Sequence, residues 1–187
     1  MPEILTTTKL ITPVGGTLID LSVAPEQLTE SLANAKELPS LQLSERALCD
    51  LELLANGGFS PLDRFMGAID FARVVAEMRL SNGQLWPIPI TLPVSDDAQI
   101  ELDSEVSLLD SRNEIVAVMH IEEIYEWDLA ETAQQVFGTT DVRHPLVAEM
   151  HRWGKRNVSG PIKVLRLPRR YDFLELRLSP TQTRSRL

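Results

Sequence analysis

Between residues 43 and 66 apolar side chains recur at helical spacing and then meet a stop. Ala47, Leu51 and Leu54, with Leu48 and Ala55 beside them, form one apolar face. Ser44 stands as N-cap, and Leu43 and Leu48 occupy the two positions of a hydrophobic staple. Asn56-Gly57-Gly58 ends the helix, because glycine takes the left-handed conformation that closes a last turn. Ser60-Pro61 reads as the cap and first position of a second helix. Phe71, Val74, Val75 and Met78 share a face over 70–80, so 43–80 is expected to be helical, up to the turn at Asn82-Gly83.

Elsewhere the pattern shortens. Residues 4–23 alternate loosely around Pro13 and Gly15-Gly16, as short strands and turns do. A helix is expected over 25–36. Residues 86–94 are apolar and extended but hold Pro87, Pro89 and Pro93. Proline donates no backbone hydrogen bond, so this stretch fits an edge strand or a barrel rim. Strands are expected at 100–102, 106–109 and 115–125, the last alternating Ile115, Ala117, Met119, Ile121 against Val116, Val118, His120, Glu122. Helices follow at 129–137, stopped by Gly138, and at 145–153, ending at Gly154. Strands return at 162–167 and 173–178. Short strands with helices set between them point to the α+β class, with 100–125 a meander in a closed or nearly closed barrel and the helices of 43–80 outside it.

Ser179-Pro180-Thr181-Gln182 is a capping box that announces a further helix, yet only five residues follow it. A start signal with so little after it reads as the beginning of a linker helix in a chain cut short.

Composition narrows the class. A chain of 187 residues can hold one sizeable core, or at most two small ones, and 43% hydrophobic with 24% charged residues is ordinary for a soluble globular protein. The longest aliphatic run, 115–119, is far too short to span a bilayer, so no membrane is expected as a partner. MPEILTTTKL lacks the basic start and apolar centre of a signal peptide, and a cytoplasmic location is the expectation. The lone Cys49 makes no internal disulfide and is expected as a buried structural thiol. The net charge of −9 is asymmetric: residues 1–140 carry 7 basic and 23 acidic side chains (−16), residues 141–187 carry 11 and 4 (+7). The acidic part is a poor partner for nucleic acid, and none is expected. The basic quarter, with Arg166, Arg169, Arg170 and Arg177, is placed to face an anion or an acidic neighbour, or only water.

The wording of certain segments carries a resemblance. CDLELLANGGFSPLDRFM at 49–66 and LWPIPITL at 85–92, with Pro13-Val14-Gly15-Gly16-Thr17-Leu18, Val136-Phe137-Gly138-Thr139-Thr140-Asp141, His144-Pro145, Gly160-Pro161-Ile162 and Tyr171-Asp172-Phe173 in the same order, resemble the N-terminal domain of sulfate adenylyltransferase (ATP sulfurylase). The likeness runs from about residue 13 to the end. It implies a PUA-like β-barrel with inserted and flanking helices over 1–178. Residues 179–187 would then start a truncated linker helix towards an absent catalytic domain, the chain's expected partner, with homo-oligomers also open. The family joins sulfate to the AMP part of ATP and releases pyrophosphate, a step of sulfate assimilation.

Candidate chemistry is sparse. There is no phosphate loop, no Gly-x-Gly-x-x-Gly and no Gly-x-Ser-x-Gly elbow. Gly15-Gly16 and Gly57-Gly58 read as turns. His120, His144 and His151 have no cysteine near them at metal-ligand spacing. Asp96-Asp97 and Glu122-Glu123 read as solvated turns and strand faces. The family's later-domain motifs, His-x-x-His and Gly-Arg-Asp, do not occur, and Gln182-Thr183-Arg184-Ser185 has Ser185 where the family's Gln-x-Arg-Asn has asparagine. No catalytic, cofactor or metal residue is therefore assigned, ATP and sulfate being substrates of the parent enzyme only. Two readings stay open: an adenylyltransferase's non-catalytic structural and interaction domain, or a free-standing PUA-like module binding RNA or another ligand. The second needs a basic face with exposed aromatics.

Overall fold

A computed structural model describes residues 10–187. The expectations for residues before 10, the leader reading and the start of the 4–23 alternation, lie outside the described residues. From residue 10 the chain runs through a 3₁₀ turn at Pro25–Gln27 into α1 (Leu28–Ala35), then β1 (Ser40–Gln42), α2 (Glu45–Ala55), α3 (Ala68–Glu77), β2 (Leu92–Val94) and β3 (Glu105–Leu109). It continues through β4 (Ile115–His120), β5 (Glu123–Glu126), α4 (Leu129–Phe137), α5 (Pro145–Met150), β6 (Arg156–Ser159), β7 (Ile162–Val164), a 3₁₀ turn at Leu174–Leu176 and α6 (Pro180–Arg186).

The class is α+β, as the patterning implies, and the strands form two open sheets rather than a closed ring. One sheet has the order β1-β3-β4-β7, the other β2-β6-β5. Among the described strands all pairings are antiparallel except β1 with β3, and an isolated parallel bridge joins Ser22 to Val164 of β7. The expected meander over 100–125 is instead a hairpin, β3 with β4, after which the chain leaves for the other sheet. The stretch 115–126 turns at Ile121-Glu122, and its partner 156–164 turns at Gly160-Pro161. One bent ribbon thus belongs to both sheets. Gly160 is where the ribbon closes on itself: a Cβ there would lie 1.9 Å from the His120 carbonyl oxygen, and its φ is +156°.

α2 packs its apolar face onto this frame. Leu48, Leu51, Leu54 and Ala55 join Phe65, Leu92, Leu108, Met119, Ile121 and Val158 in one core. Ser44 Oγ accepts from Ala47 N at 3.1 Å, and Gly57 follows the helix at φ +84°, so start and stop are as expected. The expected helix at 61 does not form. Ser60 Oγ donates to the Gly57 carbonyl at 2.8 Å and accepts from Ile19 N at 2.9 Å, which leaves it nothing to cap. The segment 56–67 is a turn that inserts Leu62, Phe65 and Met66 into the core, and α3 starts at Ala68 instead. Met78, expected on the apolar face of that helix, is its left-handed C-cap, with its side chain exposed.

Other expectations shorten or move. Of 86–94 only β2 is strand, and it is an edge strand, with Pro93 opposite Asn157 on β6. Side chains hold its two ends: the Thr91 carbonyl before it accepts from Arg46, and Arg156 of β6 donates to the carbonyls of Ser95, Asp96 and Ala98 after it. Residues 100–102 are not strand but lead into a turn at Asp103, φ +57°. Residues 173–178 are not strand either: Phe173 is left-handed and an exposed 3₁₀ turn follows, with no neighbouring strand to pair against. β1 and β6 have no counterpart in the patterning. A second, smaller core of Ala133, Val147 and Met150 holds α4 to α5 with Trp127, Phe137 and Trp153 around it.

Candidate functional site

The last part of the basic quarter, residues 165–178, forms a strap that leaves β7 and crosses the body. Leu165 N and Arg166 N both donate to the Val116 carbonyl, at 2.8 and 3.0 Å. Beyond them polar contacts take over. Arg170 donates to the Glu52 carboxylate, by Nε at 3.1 Å, and to Cys49 Sγ at 3.7 Å. Arg169 lies 3.8 Å from Glu114. Arg112 stacks on the Tyr171 ring at 5.0 Å and donates to its hydroxyl. Arg177 folds back to Asp172, 2.7 Å to the carboxylate and 3.0 Å to the carbonyl, and holds the Asp172 carboxyl below its ordinary value. Arg166 makes no ion pair among the described residues.

These tethers hold apolar side chains outward. Tyr171 and Phe173 are each 67% exposed, Leu174 60% and Leu176 71%. Exposed among the described residues, they form an apolar patch on a strap that is kept in place by charge. At its end the capping box is complete: Ser179 Oγ accepts from Gln182 N, and Gln182 Oε1 accepts from Ser179 N at 2.9 Å. The helix that follows buries no residue. Arg184, in the segment with a superficial motif likeness, donates to the Ile11 carbonyl and so ties α6 back to the start of the described chain.

Cys49 is exposed, not buried as expected. Each helical residue turns about 100°, which sets position 49 roughly opposite the buried line through 47, 48, 51, 54 and 55. The other candidates are scattered. His120 ends β4, His151 follows α5, and His144 stacks on Phe137 at 4.8 Å between ring centroids. Asp96 accepts from Lys155 N at 2.9 Å and Asp97 from Ser95 Oγ. Glu122 pairs with Arg64, and Glu123 accepts from Ala68 N at 2.9 Å, capping α3 from another element. These are structural duties. Among the described residues no three His, Cys, Asp or Glu side chains gather as a metal site would.

One cluster escaped the sequence reading. Arg46, in the first turn of α2, pairs with Asp50 at 2.6 Å, donates to the Thr91 carbonyl at 2.9 Å and lies 4.3 Å over the Trp153 ring. Burial lowers the Arg46 pKa and raises that of Asp50, against their mutual attraction. The only signal for it was the i, i+4 spacing of 46 and 50. Their approach to Trp153, more than 100 residues on, is a tertiary event.

Comparisons with known proteins match this architecture. A family model described as a PUA-like domain matches residues 11–167. The chain is 41% identical over 180 residues to a sulfate adenylyltransferase of Phaeosphaeria nodorum, covering 92% of this chain and 31% of that protein. It is 37% identical over 176 residues to one of Synechococcus (93% and 45%), and 38% over 182 to one of Persephonella marina (95% and 47%). The chain thus spans about a third to a half of the length of the curated relatives it matches. Among solved structures a hexameric APS kinase from Thiobacillus denitrificans superposes with a TM-score of 0.72 at 30% identity, over 94% of this chain and 31% of that one. With most of its length matched and the two-sheet frame in place, the chain belongs to the PUA-like domain family.

Proposed function

We propose that this chain serves as the non-catalytic N-terminal structural and interaction domain of a cytoplasmic sulfate adenylyltransferase. In that reading the enzyme takes ATP and sulfate to adenylyl sulfate and pyrophosphate, and its chemistry belongs to a catalytic domain that this chain supports. The observation that carries it is the strap: a polar-tethered segment with Tyr171, Phe173, Leu174 and Leu176 exposed is built to be covered. The likeness to sulfate adenylyltransferases over nearly all of this chain, but under half of theirs, supports it further. The catalytic domain is the proposed cover of the strap, and homo-oligomer contacts are a second role.

The test is molybdate-dependent pyrophosphate release from ATP, with a full-length sulfate adenylyltransferase as control. The isolated chain is expected to stay at the no-protein blank. Grafted in place of the matching segment of a full-length relative, it is expected to sustain turnover, and Phe173→Ser with Leu176→Ser is expected to lower it. Turnover by the isolated chain, or a graft indifferent to both substitutions, overturns the proposal.

A further inference from the structure

Independently of that reading, two turns of this chain carry the same dipeptide. Asn56-Gly57 follows α2, and Asn82-Gly83 forms the tip between Arg79 and Leu85, which bridge after α3. No other asparagine precedes a glycine in the sequence. Glycine has no Cβ, so its backbone nitrogen can swing against the side-chain amide before it. The two turns also share a local geometry. Asn56 Oδ1 accepts from Gly58 N at 3.0 Å, and Asn82 Oδ1 accepts from Gln84 N at 3.0 Å. Each amide oxygen thus has a backbone N–H aimed at it, which favours the charge that builds up there when its carbon is attacked.

The surroundings differ. Gly57 is buried, and a Cβ on it would lie 2.7 Å from the Ile19 carbonyl oxygen. Its own carbonyl accepts from Ser60 N at 3.1 Å and from Ser60 Oγ at 2.8 Å. Turning the peptide between 56 and 57 breaks these bonds and the packing behind them. Gly83 is exposed, with no atom within 4 Å of where a Cβ would stand. Its nitrogen donates to the Leu80 carbonyl at 2.9 Å, and its carbonyl accepts from Arg79 Nη1 at 2.9 Å. Asn82 Nδ2 donates to Gln84 Oε1 at 3.0 Å. At this exposed tip water takes over such bonds, so the tip opens more readily than the buried turn.

We propose that Asn82 is a site of spontaneous modification, at which the exposed tip converts its asparagine to isoaspartate. Hydroxide takes the Gly83 amide proton, and the nitrogen attacks Asn82 Cγ. The N–Cγ bond forms, the Cγ–Nδ2 bond breaks, and Nδ2 leaves as ammonia with a proton from water. Water then opens the succinimide ring at either carbonyl, giving aspartate or isoaspartate. Isoaspartate lengthens the backbone of the tip by one carbon and removes the Nδ2 donor to Gln84. It also adds a carboxylate next to Ser81, whose N–H already serves Asp70 Oδ1 at 2.6 Å. The change loosens the link between α3 and the segment leading to β2, and it leaves the turn at Asn56 intact.

The test is incubation of the folded chain, and of the same chain unfolded in guanidinium chloride, at mildly alkaline pH, followed by peptide mapping. The peptides holding Asn56 and Asn82 are read by the mass gain of the amide-to-acid exchange. An isoaspartate methyltransferase with labelled S-adenosylmethionine marks the isoaspartate among them. In the unfolded chain the two sites are expected to react at similar rates, because both precede glycine. In the folded chain Asn82 is expected to convert at least about five-fold faster than Asn56 and to carry most of the label. Asn82→Gln, whose longer side chain has to close a larger ring, is expected to remove that label, and Asn56→Gln to leave it. Equal rates at the two sites in the folded chain, a faster Asn56, most of the label at another residue, or an Asn82 that stays intact while the unfolded chain converts overturns the proposal.

Discussion

The body of the domain and its C-terminal strap are held by opposite means. In the body Leu54, Phe65, Leu108, Met119 and Val158 are shut away from water, and the two sheets and α2 share one apolar core. In the strap the large apolar side chains face solvent, and Arg169, Arg170 and Tyr171 do the holding through Glu114, Glu52 and Arg112. Most of the body lies in the −16 part of the chain, residues 1–140, whereas α5, β6, β7 and the strap lie in the +7 part. Much of that asymmetry is spent within the molecule, on pairs such as Arg170–Glu52, Arg169–Glu114 and Lys163–Glu105. Burial therefore sets stability in the body. In the strap, ion pairs at the surface, the half-buried Arg170–Glu52 among them, set position and leave the apolar side chains facing solvent.

The comparison breaks most visibly at Phe65. Phe65→Ala is expected to cost about 3–5 kcal/mol, because the ring is fully buried and its loss leaves a cavity. Urea denaturation measures it, and a loss below about 1 kcal/mol would contradict the core described. Next comes Gly154→Ala. A Cβ there would lie 1.7 Å from the Val94 carbonyl oxygen, a backbone atom, so the strand has to move. About 1–3 kcal/mol of overpacking cost is expected in the same assay.

Tyr125→Phe comes third. The Tyr125 hydroxyl donates to the Met66 carbonyl at 2.7 Å, and its removal is expected to cost about 1 kcal/mol at neutral pH. Burial raises the pKa of this phenol above its ordinary value of 10.0. A raised folded-state pKa contributes stability that is fully present below pH 10 and is lost as the pH climbs towards the folded value, since the unfolded phenol ionises first. The advantage of Tyr125 over phenylalanine is therefore expected to shrink above pH 10. An advantage that widened there, in melts of both proteins, would contradict the buried environment.

Arg170→Ala sharpens the contrast with the smallest global effect. The Arg170–Glu52 pair is half-buried at the surface and contributes about 1 kcal/mol, so the melting temperature is expected to move little. Amide exchange over 167–178 is expected to quicken several-fold while α2 and β4 keep their protection. Equal loss of protection in body and strap would show that the strap is packed rather than tethered.

Local devices were legible from the residues alone. Ser44 capping α2, Gly57 ending it, Gly138 ending α4 and the box from Ser179 to Gln182 each need only a few neighbouring residues. Pro93 announced an edge strand because proline cannot donate. Ser60-Pro61 failed because the same hydroxyl that caps a helix found Gly57 and Ile19 nearer, Ile19 being 41 residues away in sequence. Residues 173–178 failed because their apolar spacing had no partner strand to use it. Cys49 was readable and was misplaced: strict helical geometry sets it off the buried face.

The sequence by itself determined the class of fold, the caps and stops of its helices, the segregation of charge and the likeness that carries the family. Those depend on neighbouring residues or on wording. The tertiary structure decided how the strands divide between two sheets, that one bent ribbon serves both, that Arg46 meets Trp153 and that the strap turns its apolar side outward. Each of these is a pairing of distant residues, chosen by which buried surface and which hydrogen bonds remain once every other element has taken its place.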